Sequence, residues 1–142
     1  MQLVDANILI YAVNADAPNH AVCRRWLDAA LGANDPVGFA WIALLAFLRV
    51  VTNPTVLAEP WSVHEATDQV RTWLTAPAAV VVEPTARHAD VLAGLLSGVG
   101  TAGNLVSDAH LAALATEHLA TVVTFDLDFA RFPGVRSTQP AA

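Results

Sequence analysis

Four aspartates stand where a parallel sheet could bring their carboxylates together. Asp5 follows a short apolar run, and Asp126 follows a run rich in β-branched residues. Asp108 falls in the first turn of a predicted helix, and Asp128 comes two residues after Asp126. All strands of a parallel sheet end at one edge, and ligands bind beyond that edge in such folds. We therefore expect Asp5, Asp108 and Asp126 to face one crevice, with Asp128 close by.

Carboxylates gathered in this way repel one another. Two like charges about 4 Å apart cost about 4 kcal/mol at an effective dielectric of 20. A bound cation offsets that cost, and a set of oxygen ligands selects Mg²⁺ or Mn²⁺ over Zn²⁺. Each acid taken alone has a simpler role open to it. Asp5 can cap a helix, Asp108 can interact with a helix dipole, and Asp126 and Asp128 can form a turn.

Short strands that alternate with helices must position these acids. Apolar and β-branched runs predict strands at Gln2–Val4, Val37–Ala40, Ala79–Glu83 and Ala120–Thr124. Helical spacing, capping residues and prolines predict a helix starting at Asp5 and others at Pro18–Leu31, Trp41–Val51, Ser62–Leu74, Thr85–Ser97 and Leu105–His118. A Gly98–Gly103 loop separates the last two helices. This order predicts an α/β fold in one domain (1–142), with a short central parallel sheet covered on both faces. Residues 136–142 are expected to form a flexible tail.

Composition excludes several classes of protein. The 142 residues (15.0 kDa) are 55% hydrophobic and 14% charged, which excludes an intrinsically disordered chain. The most apolar stretch, Val37–Leu48, is too short to span a bilayer, and the N-terminus lacks the basic region of a signal peptide. Because Cys23 is the single cysteine, no internal disulfide can form. We therefore expect a reducing, cytoplasmic location.

The charge balance narrows the chemistry further. The net charge is −6, which argues against binding of polyanions through a broad basic surface. All seven basic residues are arginines, so lysine-based catalysis and a Walker A lysine are excluded. The apolar content exceeds what a small monomer readily buries. We therefore expect an exposed hydrophobic patch that serves a dimer or another partner.

Four blocks of sequence resemble PIN-domain ribonucleases of the VapC toxin type. They follow in the family's order along nearly the whole chain and are Leu3–Ala12, Phe47–Pro54, Gly103–Ala115 and Thr124–Phe132. The resemblance implies a PIN-like α/β/α sandwich and metal-dependent cleavage of RNA by the toxin of a bacterial toxin–antitoxin pair. It implies a VapB-type antitoxin as partner and a homodimer. By position, it implies a metal site at Asp5, Asp108 and Asp126 with Asp128 as a fourth acid, and a site lined by Asn7 and Thr124.

One position departs from the family pattern. Ala46 stands where the helix block of the family normally carries a glutamate, and neither Glu59 nor Glu65 lies in that helix to replace it. The alanine is either a natural variant or a replacement that silences a toxic nuclease. We expect weakened metal binding and impaired activity, and the alternative is a non-catalytic PIN scaffold that binds antitoxin or RNA. Arg49, in the same block, is the candidate contact to a phosphate or a partner. It can also simply stabilise the end of its helix.

The histidines and tryptophans give weaker functional signals than the aspartates. His110 is two residues from Asp108, so a helix would turn it away from that acid, and the other histidines are given no role. The tryptophans are expected to pack in a core or an interface rather than stack on RNA bases. The Asp126–Asp128 pair also resembles the opening motif of haloacid-dehalogenase phosphotransferases. That family places the motif at the start of its domain, whereas Asp126 lies near the end of this sequence. Both that family and phosphoacceptor receiver domains also use a lysine, and this chain has no lysine.

Overall fold

A computed structural model gives the fold and describes residues 1–100 and 102–141. Thr101, within the predicted Gly98–Gly103 loop, and Ala142, within the predicted tail, lie outside the described residues. The strands are β1 (Gln2–Val4), β2 (Val37–Phe39), β3 (Ala79–Val81), β4 (Thr121–Val123) and β5 (Ser137–Thr138). The helices are α1 (Ala6–Val13), α2 (His20–Leu31), α3 (Trp41–Val51), α4 (Val63–Thr75), α5 (His88–Ser97) and α6 (Val106–Glu117). Short 3-10 helices cover Gly103–Leu105 and Leu127–Arg131.

The five strands form one sheet in the order β3-β2-β1-β4-β5, and every neighbouring pair is parallel. The central pair aligns Leu3 with Val122 and Val4 with Val123. The chain moves outward from β1 to β2 and β3, then crosses back to β4 on the other side of β1. This reversal places a crevice between the carboxyl ends of β1 and β4, where folds of this class bind ligands.

Successive residues of the central strands point into two separate cores. Val4 and Val123 belong to a cluster that also contains buried residues of α1 to α4. Leu3 and Val122 belong to a second cluster, which contains buried residues of α5 and α6 together with Phe129. Helices therefore cover both faces of the sheet. The predicted three-layer α/β/α fold with a short parallel sheet is confirmed.

The C-terminal segment differs from the prediction. Ser137 and Thr138, expected in a flexible tail, form the edge strand β5 and pair in parallel with Val122 and Val123. Val122 N–H donates to the Arg136 carbonyl, and Thr124 N–H donates to the Thr138 carbonyl. The tail prediction is wrong for this strand. The edge of β4 has backbone groups that need hydrogen-bond partners, and Ser137–Thr138 supplies them. A polar segment of two residues carries no sequence pattern that predicts a strand.

Several helix boundaries also shift. The capping box of α4 forms as expected, with the Ser62 hydroxyl accepting from Glu65 N–H and the Glu65 carboxylate accepting from Ser62 N–H. The helix expected from Thr85 begins only at His88, because Thr85 N–H and its hydroxyl both donate to the Glu117 carboxylate. Over the described residues, no helix is long and apolar enough to cross a membrane.

Candidate metal centre

Asp5 stands at the crevice between the two central strands. Its N–H donates to the Val123 carbonyl at 3.0 Å, which extends the β1–β4 pairing by one residue. Its carboxylate then caps α1, with Oδ1 accepting from Ala6 N–H at 2.7 Å. Asp5 therefore caps α1 and also lies at the edge of the sheet. A cap must sit where its helix begins, and α1 begins directly after the strand.

Asn7 and Thr124 hold the Asp5 carboxylate in place. Asp5 Oδ2 accepts from the Thr124 hydroxyl at 2.7 Å and from Asn7 Nδ2 at 3.2 Å. Asn7 Nδ2 also lies 3.1 Å from Thr124 Oγ1, and Asn7 Oδ1 accepts from Phe125 N–H at 3.3 Å. Thr124 is only 3% exposed. These bonds tie the start of α1 to the segment after β4, so Asp5 has little freedom to rotate.

The segment after β4 folds back through Asp126 and Asp128. Thr124 Oγ1 accepts from Asp126 N–H at 2.9 Å, and Asp126 Oδ1 accepts from Asp128 N–H at 2.9 Å. The second bond caps the 3-10 helix Leu127–Arg131. Phe129 is fully buried in the second core and anchors this short helix. The predicted turn therefore exists, and it carries both carboxylates to the same crevice.

Asp108 approaches from the other side, in the first turn of α6. One carboxylate oxygen each of Asp108, Asp126 and Asp128 lies within 4.8 Å of the others. Asp5 is not a member of this three-carboxylate group in the described part of the chain, since its oxygens face Ala6, Asn7 and Thr124. The structure thus brings the four acids to one edge, but the tightest set contains Asp128 in place of Asp5.

Burial and mutual repulsion raise the pKa of two of these acids. Burial, followed by the charges of Asp126, Asp5 and Asp128, raises the pKa of Asp108 from 3.8 to about 7. Burial also raises the pKa of Asp5, against hydrogen bonds from Thr124 and Ala6 that lower it, and the charge of Asp126 adds to the rise. Both carboxylates would be stabilised by a positive charge in the crevice.

Comparison with known proteins identifies the architecture around this acidic edge. The PIN domain family matches residues 3–135. The chain belongs to the PIN-domain family. It is 55% identical to Ribonuclease VapC37 of Mycobacterium tuberculosis over 142 residues, which cover 100% of this chain and 99% of that protein. It is 41% identical to Ribonuclease VapC43 of the same species over 99% of this chain and 95% of that protein.

A solved structure agrees at the level of the fold. The crystal structure of VapBC2 from Rickettsia felis, bound to a DNA fragment from their promoter, contains a chain that superposes with a TM-score of 0.71. The match covers 97% of both chains at 19% sequence identity, so it supports the fold alone. The predicted resemblance to VapC-type PIN-domain ribonucleases is confirmed by these comparisons.

The acids of this PIN domain fit a divalent cation. Every side chain of the three-carboxylate group offers oxygen, the ligand that Mg²⁺ and Mn²⁺ prefer, and no cysteine or histidine belongs to it. The raised pKa of Asp108 points the same way, because a nearby cation would stabilise the charged form of this carboxyl. The residues present therefore fit the metal that the family implies.

Ala46 and Arg49 lie beside the acids rather than among them. Both line a cleft of about 300 Å³ together with Asp5 and Asp108. The methyl group of Ala46 thus occupies a position from which a longer acidic side chain would face the same crevice. Arg49 is exposed on the last turn of α3, where its charge also suits the helix dipole.

Three of the four tryptophans pack against the first core as expected, whereas one histidine without an expected role lies in a polar chain. Trp73 is buried, Trp26 and Trp61 are half-buried against the first core, and Trp41 is 46% exposed. His88 lies between Glu117 and His110 in a partly buried polar chain, although the sequence predicts no role for it. The partners of His88 are 29 and 22 positions away in the sequence, so no local spacing could have revealed the chain.

Proposed function

We propose that this chain is a metal-dependent endoribonuclease and the toxin of a toxin–antitoxin pair. Membership of the PIN-domain family and 55% identity to a VapC ribonuclease support the activity. The observation that carries the proposal for this chain is the meeting of Asp108, Asp126 and Asp128 at the crevice beside Asp5. A polyanionic substrate would be repelled by four bare carboxylates, so a cation must be part of the functional site.

We assign Asp108, Asp126 and Asp128 as the residues that would hold Mg²⁺ or Mn²⁺. Asp5 joins the set, because Oδ1 keeps one lone pair after its bond to Ala6 N–H. A bound divalent ion supplies neutralisation of charge on the scissile phosphate and a lower pKa for the attacking water. Asn7 and Thr124 line the site and keep the Asp5 carboxylate from turning away. Their hydrogen bonds are already formed, so they need no reorganisation during the reaction.

Arg49 is our candidate for the substrate contact. It is exposed at the cleft that Asp5 and Asp108 line, and its guanidinium has the fork geometry that binds phosphate in two places. No salt bridge to Arg49 occurs within the described residues. The guanidinium is therefore available to a phosphate that neighbours the scissile bond, or to an acidic group of a protein partner.

Ala46 weakens this site in our proposal. A carboxylate at position 46 would add a ligand or hold a water beside Asp5 and Asp108, and alanine can do neither. We expect a weak but measurable activity with Mn²⁺. The second reading, a binding module without catalysis, follows from the same absent carboxylate.

A cleavage assay separates these readings. The full chain and its Ala46→Glu variant are incubated with end-labelled RNA in Mn²⁺, in Mg²⁺ and in EDTA, with Asp126→Asn as the inactive control. We expect cleavage that EDTA abolishes and that Ala46→Glu increases. Cleavage that persists in chelator would refute the metal mechanism, and no cleavage by either chain would favour the binding module.

The partners belong to the same proposal. We propose a VapB-type antitoxin, a homodimer and a cytoplasmic location, where the RNA substrate is found. Large apolar side chains exposed on the elements that form the acidic edge support an interface there, namely Trp41, Leu45, Val106 and Leu127. Native mass spectrometry of the chain alone and with its antitoxin tests this assignment. A monomer that binds no antitoxin would contradict it.

A further inference from the structure

A partly buried chain of polar side chains joins α5 to α6, the helix that carries Asp108. Glu117, the last residue of α6, has a fully buried side chain. Its Oε1 accepts from Thr85 N–H at 2.9 Å and from the Thr85 hydroxyl at 2.5 Å. Its Oε2 lies 2.5 Å from His88 Nδ1, and His88 Nε2 lies 2.9 Å from His110 Nδ1. One imidazole of α5 therefore bridges two side chains of α6.

The carboxylate of Glu117 fixes the direction of its own hydrogen bonds. Burial pushes the pKa of Glu117 upward, but hydrogen bonds from Thr85 and His88 outweigh it and leave the pKa below its ordinary value. The ionised carboxylate only accepts, so His88 Nδ1–H donates to it. Between His88 Nε2 and His110 Nδ1, one ring nitrogen donates and the other accepts. Each link is satisfied, and among the described residues no buried side-chain nitrogen or oxygen lacks a partner.

The buried face of α6 combines small and large side chains. The small ones are Ala109, Ala112, Ala113 and Ala115, and the large ones are Leu111 and Leu114, all at most 2% exposed. Small side chains form shallower ridges than large ones, so the alanines contribute less resistance to a slide of the helix than the leucines do. Hydrogen bonds have narrow ranges of length and direction. The polar chain therefore adds a directional restraint along the axis to the packing of Leu111 and Leu114.

We propose that Glu117, His88 and His110 are positioning residues that hold α6 so that the Asp108 carboxylate stays with Asp126 and Asp128. The proposal rests on the metal-dependent function proposed above. His110 is two residues from Asp108, which places the two about 3 Å apart along the helix axis. A slide of α6 by 1 to 2 Å, on the order of several times the roughly 0.2 Å that ligand distances tolerate, would remove Asp108 from the set.

Two pairs of variants test the proposal in the full chain. Glu117→Leu removes the acceptor, whereas Glu117→Gln can still accept from Thr85 and can donate to His88 Nδ1 in the tautomer that carries its proton on Nε2. His88→Ala removes the bridge, whereas Leu95→Ala destabilises the same helix pair and leaves the polar chain intact. Leu95 is buried at 7% exposure in the second core and serves as the control for stability alone.

Three measurements are made on each variant. They are the Mn²⁺ dissociation constant by calorimetry, the kcat and KM for RNA, and amide hydrogen exchange of residues 107–109 in EDTA. We expect Glu117→Leu and His88→Ala to raise the Mn²⁺ dissociation constant by about tenfold or more, as loss of groups that orient metal ligands does. We also expect lower kcat at unchanged KM and faster exchange in the first turn of α6. Glu117→Gln should retain near-normal values, and Leu95→Ala should lower stability without weakening Mn²⁺ binding.

The outcomes separate this inference from the proposed function. Unchanged exchange at residues 107–109 in both Glu117→Leu and His88→Ala overturns the positioning role, whatever the metal does. Equal loss of Mn²⁺ affinity in Leu95→Ala overturns it as well, because general destabilisation then explains the effect. If the unaltered chain binds no Mn²⁺ while exchange still responds to the variants, the metal-dependent function fails and the restraint on α6 stands.

Discussion

Replacing Asp108 with asparagine should stabilise the metal-free protein at neutral and alkaline pH. The pKa of Asp108 is raised from 3.8 to about 7 by burial and by the neighbouring carboxylates. Between pH 3.8 and about pH 7 the native state holds a proton on Asp108 that the unfolded chain has released. The free energy of unfolding therefore falls as pH rises through this range. Below pH 3.8 Asp108 does not destabilise the native state, and above about pH 7 its ionised carboxylate destabilises the native state to the full extent. The asparagine side chain carries no charge at any pH, so the Asp108→Asn variant avoids this destabilisation.

The size of the effect can be worked from the shift. A rise from 3.8 to about 7 is equivalent to about 4 kcal/mol at full strength. Asp108 is only partly buried, so solvent screening should leave about 1–2 kcal/mol. The lost interaction between a negative charge and the α6 dipole subtracts about 0.3–1 kcal/mol. Asp108→Asn should therefore be more stable than the unaltered chain at pH 8, with a smaller advantage at pH 5.

Asp90 offers a matched control, because it is exposed and occupies the third residue of α5 as Asp108 occupies the third residue of α6. Asp90→Asn loses the same dipole interaction without relieving a cluster. Urea unfolding of the three proteins in EDTA at pH 5 and pH 8 provides the comparison. If Asp108→Asn is destabilised at pH 8 as much as Asp90→Asn, the reasoning about repulsion in the crevice is wrong.

Three further changes have defined outcomes. Ala46→Glu adds a fifth acid to the crevice, so it should lower the melting temperature in EDTA and raise Mn²⁺ affinity; an equal or higher melting temperature would count against the repulsion argument. Thr124→Val keeps the side-chain shape but leaves Asp5 Oδ2 and Asp126 N–H without their Thr124 hydrogen bonds. Urea unfolding should show a free energy of unfolding lower by about 1–3 kcal/mol, and Mn²⁺ binding should be weaker. Leu119 is 79% exposed and has a φ of 55° in the turn that ends α6. Glycine adopts this backbone conformation without strain, so Leu119→Gly should stabilise the protein by about 0.5–1 kcal/mol. A lower urea midpoint would show that the leucine side chain has contacts that offset its strain.

The layout of the site is predictable from the sequence because it follows from topology. Asp5 and Asp126 follow strands, and parallel strands end at one edge whatever their exact pairing. The helix α3 and the capping box at Ser62 are likewise visible as local patterns. The position of Asp108 in the first turn of α6 follows from helical spacing. These features depend on short stretches of chain, so one sequence is enough to expect them.

The details that depend on contacts between distant residues were not predictable. The Asp5 carboxylate lies outside the three-carboxylate group because it is held by Thr124, which is 119 positions away in the sequence. The strand β5 exists because β4 leaves an edge to pair with. The delayed start of α5 depends on Glu117, 32 positions from Thr85. Each of these outcomes is decided by a partner that local patterns do not identify.

The central claim is that the acidic edge binds a divalent metal that RNA cleavage requires. The most direct test adds Mn²⁺ to metal-depleted protein and follows cleavage of labelled RNA by the unaltered chain and by Asp126→Asn at matched concentrations. We expect cleavage to appear only in the unaltered chain, to follow the occupancy of one saturable Mn²⁺ site and to stop when EDTA is added. Cleavage of equal rate by Asp126→Asn, or cleavage without any divalent ion, would contradict the account.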